Sequence, residues 1–190
     1  RRPPRSRDEQ PGTVSPVIVP DTSDWTWVPE RPCPECGFDA STAAFGDVAS
    51  LVRANAAAWE QLHVAGRIAR GRPNPQTWSS LEYACHVRDV YRRYHERVRL
   101  MLAEDDPLFP NWDQDATAEA DRYEDQDPGE VVAELRRAAD RMAALLEDVT
   151  EEQAARPGRR GDGASFSVSS IARYMVHDPV HHVWDVRQQH

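Results

Sequence analysis

Between Ser41 and Gln188 the apolar residues recur with a helical period in four stretches. From about Ser41 to Arg70, Phe45, Val48, Leu51, Val52, Ala56, Trp59, Leu62 and Ile68 follow one another at spacings of three and four, the stripe of an amphipathic helix. Gly71-Arg72-Pro73 stops it, because proline cannot continue the backbone hydrogen bonding. The second stretch opens at Ser79-Ser80-Leu81-Glu82, a Ser-x-x-Glu capping box in which hydroxyl and carboxylate satisfy each other's free backbone N–H groups. It continues through Tyr83, His86, Val87, Val90, Tyr94, Val98 and Met101 to about Ala103. The third begins with Asp127 as N-cap, Pro128 at the first helical position and Glu130 at the third, and its stripe is Val131, Leu135, Ala138, Met142, Leu145 and Leu146. The fourth covers about Phe166 to Gln188. No strand pattern of comparable length accompanies them, so the pattern predicts an all-α fold, a four-helix bundle with a long loop between helices two and three.

Ahead of the bundle the chain reads differently. Residues 1–24 are polar, proline-rich and aperiodic, which predicts a disordered N-terminal arm. Residues 25–40 form an aromatic segment: Trp25-Thr26-Trp27-Val28 alternates like a strand or an extended clasp and leads into Cys33-Pro34-Glu35-Cys36-Gly37. The remainder, 41–190, is the bundle domain.

Charge changes this picture at one place. The 190 residues carry 23 basic groups, all of them Arg, against 32 acids, for a net charge of −9. Eleven of the acids fall between Glu104 and Glu130, where Arg122 is the one basic residue, so the loop between helices two and three holds the acidity and the rest is nearly neutral. Such a run predicts a solvated face. An acidic balance argues against a nucleic-acid surface, which needs clustered positive charge to collect phosphates. No window approaches the roughly 20 uninterrupted apolar residues of a membrane span. Arg1-Arg2-Pro3-Pro4-Arg5 leads into Asp8 and Glu9 rather than an apolar stretch, unlike a secretory signal, so a cytoplasmic location is the expectation. Cys33, Cys36 and Cys85 are too few for a disulfide scaffold and are expected as thiols.

The candidate chemistry sits on histidines. His177 and His181, four apart, project from one helical face about a turn apart, the spacing with which a helical His-x-x-x-His holds one metal. His182 turns away by about 100°. The third donor has to come from elsewhere, and His86, on the apolar side of the second helix, is the natural one. Three imidazoles suit zinc, nickel or iron and leave coordination positions open. Pro179, between the paired histidines, removes a helical N–H and predicts a kink or a restart capped by Asp178, which would displace His177 from His181 and make His182 or Asp185 the replacement ligand. Asp89, Asp178 and Asp185 are candidate acceptors for imidazole N–H groups. Cys33-Pro34-Glu35-Cys36-Gly37 has the shape of a zinc or rubredoxin knuckle, but two further ligands are needed. Cys85 qualifies only if the knuckle folds back over helix two; a redox dithiol and a structural remnant are the other readings. Trp78, Trp112, Tyr123 and Arg173 are candidate walls of a pocket near the metal.

Trp78-Ser79-x-x-Glu82-x-x-x-His86-x-x-Asp89, then Tyr123, then His177-Asp178-Pro179-Val180-His181-His182-Val183-Trp184-Asp185-Val186 resemble the DinB/YfiT-like superfamily over about Ala40 to Arg187. The resemblance implies a divalent metal, zinc foremost, held by His86, His177 and His181 at one end of the bundle. It does not extend to the cysteine segment. It further implies a metal-dependent enzyme acting on a small molecule: a transferase using a low-molecular-weight thiol such as mycothiol or bacillithiol, or a hydrolase using water. A metal-binding or stress-induced bundle protein without turnover is the alternative of a different class. The apolar stripes of helices one and four would also support a homodimer.

Overall fold

The structure is a computed structural model that describes Trp25 and residues 27–189. The arm expected over residues 1–24 lies outside the described residues.

Four long helices form the framework: α1 (Val48–Val64), entered through a 3-10 turn at Phe45–Asp47, α2 (Ser80–Ala103), α4 (Pro128–Glu147) and α6 (Val168–Gln188). α2, α4 and α6 begin where a side chain takes up free N–H groups, whereas Asp47 ahead of α1 makes no such bond. Ser79 Oγ accepts from Glu82 N while the Glu82 carboxylate accepts from Ser79 N, and Asp127 accepts from Glu130 N ahead of Pro128. Glu82 is buried and also receives a bidentate ion pair from Arg72, so the first turn of α2 is anchored to the preceding connection. The first helix is shorter than its apolar stripe suggests. It ends at Val64, and Leu62 and Ile68 stay buried through a turn in which Gly66 adopts a φ of +69°.

α4 packs against both α1 and α2, and α6 packs against the same two. Consecutive long helices α1 and α2 therefore lie diagonally across the bundle, which is why the chain needs two long connections. Trp59, Leu81, Tyr91, Met101, Leu135, Met142, Ile171 and Met175 fill the centre.

Two features of the connections differ from the sequence-based expectation. The fold is not purely helical: β1 (Leu108–Phe109) pairs in parallel with β2 (Pro157–Arg160), which pairs antiparallel with β3 (Ser165–Ser167). Strands of two to four residues containing Pro157 and Gly158 leave no alternation to read. Gly158 faces Met101 so closely that a Cβ there would lie 2.7 Å from Met101 Cγ. The acidic segment, for its part, contains β1, the helix α3 (Gln114–Ala120) and a 3-10 turn at Tyr123–Asp125, while a one-turn helix, α5 (Glu151–Ala154), follows α4. The segment is tied down by Tyr123, whose hydroxyl donates to Asp89 at 2.6 Å, and by Gln126, which accepts from Arg88.

The segment 25–40 is folded as turns rather than as a strand: Val28 N donates to Trp25 O and Glu30 N to Trp27 O. Cys33 N donates to Phe38 O and Gly37 N to Cys33 O, with Gly37 at φ +74°, a dihedral that the tight turn requires of glycine. Val28, Cys33 and Ala40 are buried, so this segment lies on the bundle rather than beside it.

Candidate functional site

α6 carries the donors. It runs without interruption through Pro179, and His177 and His181 keep their rings 5.3 Å apart, so the expected break does not displace them. The carbonyl of Pro179 accepts from Asn55 Nδ2 at 2.8 Å, and Asn55 Oδ1 accepts from the Tyr91 hydroxyl, a buried relay that joins α1 and α2 to α6 at this position.

At about 100° per residue, Asp178 and His182 form a second four-apart pair, rotated from His177 and His181 by one position. The two pairs face different neighbours. His177 and His181 meet Cys33 and Cys36, and these four residues each bring a ligand atom within 4.8 Å of the others. Asp178 and His182 meet His86 of α2 within the same limit. The structure groups these side chains differently from the expected His86, His177 and His181: His86 stands with Asp178 and His182, because the face of α6 opposite α2 is one residue further along than the face beneath the cysteines.

In the first cluster, Cys33 Sγ lies 3.6 Å from His181 Nδ1. His181 Nε2 is turned the other way, 3.2 Å from Glu35 and 3.7 Å from Asp185. His177 Nε2 is buried and has no hydrogen-bond partner among the described residues. Burial, reinforced by the neighbouring His181, pushes the His177 imidazole down to about 4, so it is neutral, with a free lone pair, at pH 7. Burial and the adjacent Cys33 push the Cys36 thiol up to about 11, the direction a bound cation would reverse. Cys85 takes no part. It is buried against Tyr123 O and Gln126, and burial raises its thiol to about 12.

In the second cluster, Asp178 Oδ1 lies 3.2 Å from His86 Nε2 and 3.4 Å from His182 Nε2. Burial opposes ionisation of Asp178, yet the facing imidazoles of His86 and His182 hold its carboxyl well below the usual carboxylate range. Asp185 Oδ2 lies 2.8 Å from His182 Nδ1, so Nε2 is the ring nitrogen that a metal at this cluster would use. A tetrahedral cation with nitrogen and oxygen ligands at about 2.0–2.1 Å has edges of about 3.3 Å, so the observed separations fit a divalent metal held by His86, Asp178 and His182. His86 is clamped between Trp112, stacked at 5.2 Å, and Trp78 at 5.3 Å.

Of the three aspartates expected to orient imidazoles, Asp185 does so for His182 and stands 3.7 Å from His181 Nε2. Asp178 stands among the donors themselves. Asp89 faces away, into an ion network with Arg88, Arg92 and Tyr123. Trp78 and Trp112 line a cavity of about 700 Å³ together with Asp178 and His182, as expected, whereas Tyr123 is buried beneath Trp78 and Arg173 does not line it. Trp25, over the rings of His177 and His181 at 5.3 and 5.4 Å, forms another part of the wall.

The same cavity is lined by Asn111, Trp112, Asp113, Gln114 and Asp115, so the acidic segment contributes to the site. Arg97 also faces it. This guanidinium is buried, donates to Pro110 O, lies over the rings of Tyr94 and Phe109, and makes no ion pair among the described residues. Burial lowers its pKa, the direction expected for a cation without a counter-ion. Sequence reasoning missed Arg97 because among 23 arginines nothing local distinguishes it.

Bundle and clusters together define a helical protein with two groups of side chains that could hold a metal ion. The chain belongs to the DinB superfamily, whose model matches residues 6–186. It is similar in fold to YfiT from Bacillus subtilis, with a TM-score of 0.63 and 19% identity over 84% of this chain and 90% of that one. YfiT is described as a probable metal-dependent hydrolase with an unusual four-helix bundle topology. No curated protein matches. Among the described residues no helix is long and apolar enough to cross a membrane.

Proposed function

We propose that the protein is a metal-dependent enzyme that joins a low-molecular-weight thiol of the mycothiol type to a small anionic acceptor at the His86–Asp178–His182 centre. The observation that supports this best is that a three-donor cluster, the ligand number of a catalytic rather than a structural site, has two of its members, Asp178 and His182, in the wall of a cavity large enough for organic ligands. A divalent cation held there would keep a thiol or a water deprotonated at neutral pH.

The protein's own groups do the rest. Asp185 orients His182 through Nδ1, and Trp78 and Trp112 fix the plane of His86. Arg97, in the cavity wall, offers a carboxylate a charge-assisted hydrogen bond. A volume of about 700 Å³ accommodates a thiol and an acceptor together, which transfer requires and hydrolysis does not. Hydrolysis is the second reading, favoured by the description of YfiT.

The test is to load the protein with cobalt(II) and add mycothiol. A change in the visible cobalt spectrum that is absent in His182→Ala, with a thioether product detected by mass spectrometry, is the expected result. Water-dependent cleavage of ester or amide substrates, with no response to thiol, would replace transfer by hydrolysis.

A further inference from the structure

We infer that Cys33, Cys36, His177 and His181 form a second, closed zinc site of Cys2His2 type, separate from the three-donor centre, which fastens residues 25–40 onto α6. The donor chemistry is the first argument. Two thiolates and two imidazoles in a four-coordinate set select zinc among the common divalent ions, and a structural zinc site uses four protein ligands with no position left for substrate.

Geometry is the second argument. Zinc–sulfur bonds of about 2.3 Å and zinc–nitrogen bonds of about 2.0–2.1 Å in a tetrahedron give a sulfur–nitrogen edge of about 3.6 Å. Cys33 Sγ and His181 Nδ1 are separated by 3.6 Å, and all four donors lie within 4.8 Å of one another. A thiol–imidazole hydrogen bond would explain that one distance, but it leaves the buried His177 Nε2 without any partner, which a cation removes. His181 is arranged as zinc-bound histidines usually are, with its other nitrogen 3.2 Å from a carboxylate, here Glu35, the residue between the two cysteines. The knuckle thus supplies both the thiolates and the group that orients the opposing imidazole.

The third argument is what the segment lacks otherwise. Among the described residues its backbone hydrogen bonds are short-range turns, and Val28, Cys33, Phe38 and Ala40 help to seat it on the bundle. Four ligands contributed by two parts of the chain 141 or more residues apart act as a clasp, and Trp25, resting on the two histidines, becomes part of the cavity wall only while that clasp is closed. The site is therefore structural and shapes the pocket without touching the reacting atoms.

Cobalt(II) titration of the metal-free full chain, followed by absorption, tests the assignment. An intense near-ultraviolet thiolate-to-cobalt band that disappears in Cys33→Ser and in His177→Ala but persists in His182→Ala is expected. Absence of that band in the wild type, or its persistence in His177→Ala, would overturn the Cys2His2 assignment. A measurement that needs no variant accompanies it: alkylation of the zinc-loaded wild type by iodoacetamide, mapped by mass spectrometry. Cys33 and Cys36 are expected to be at least tenfold slower to react with zinc than after chelation. Equal rates in the two states, or a Cys33–Cys36 disulfide forming as readily with zinc as without, would contradict the clasp and favour a redox dithiol.

Discussion

Two donor clusters share one helix of this protein and are built to opposite specifications. Cys33, Cys36, His177 and His181 surround their centre from two parts of the chain, with soft ligands and no missing vertex. His86, Asp178 and His182 offer three harder donors, of which Asp178 and His182 line the cavity, whose wall His177 and His181 share. One residue of helical rotation, about 100°, separates them. Ligand number, not ligand identity alone, decides which cluster holds the structure and which meets substrate. Asp185 belongs to both, accepting from His182 at 2.8 Å and standing 3.7 Å from His181.

The largest effect that would sharpen this contrast is functional. His182→Ala should reduce turnover to the level of the metal-free protein while leaving the melting temperature within a few degrees of wild type. A variant that keeps its activity would remove His182 from the reacting centre. Glu82→Gln comes next and acts on α2 alone, one turn before His86. Breaking the buried ion pair with Arg72 should cost about 3–5 kcal/mol, measured by urea unfolding, without disturbing the cysteine cluster. Burial opposes ionisation of Glu82, but Arg72 and the Ser79 N–H hold its pKa below 4.5 in the folded state. Its contribution is thus present above the unfolded carboxylate value and is lost as pH falls through the folded one, so wild type should lose stability more steeply in that acidic range than Glu82→Gln.

Cys33→Ser probes the other cluster. Loss of the clasp should cost about 3 kcal/mol, a fall of about 6–12 °C in melting temperature for a chain of this size, with the metal at the three-donor centre retained. Arg97→Gln touches neither cluster and should raise KM for an anionic acceptor about 10- to 100-fold with little change in kcat, as expected for one charge-assisted pair. Smallest in reach is Asp185→Asn, which should weaken metal binding at the three-donor centre about 10-fold, read by competition with a chelating dye, and affect the cysteine cluster less because of the longer contact to His181.

Much of the framework was legible in the chain. Capping residues Ser79, Glu82, Asp127 and Pro128 mark helix starts to the residue, because caps are local chemistry. The sheet was not, since β1 pairs with β2 some 50 positions away and all three strands are too short to show a period. Among the site residues, the histidines announced themselves by spacing, yet the assignment of His86 depended on which face of α6 meets α2, and that is set by packing. The signal that would have resolved it is the overlap in His177-Asp178-x-x-His181-His182, two ligand pairs offset by one residue. Similarly, the missing partners of the knuckle were already named, but as members of a different site.

Counting metal per chain by elemental analysis tests the account most directly. Two ions in the wild type, with one lost in His182→Ala and the other lost in Cys33→Ser, is the predicted result. One ion in the wild type that both substitutions remove would contradict it, since the two clusters would then be parts of a single site.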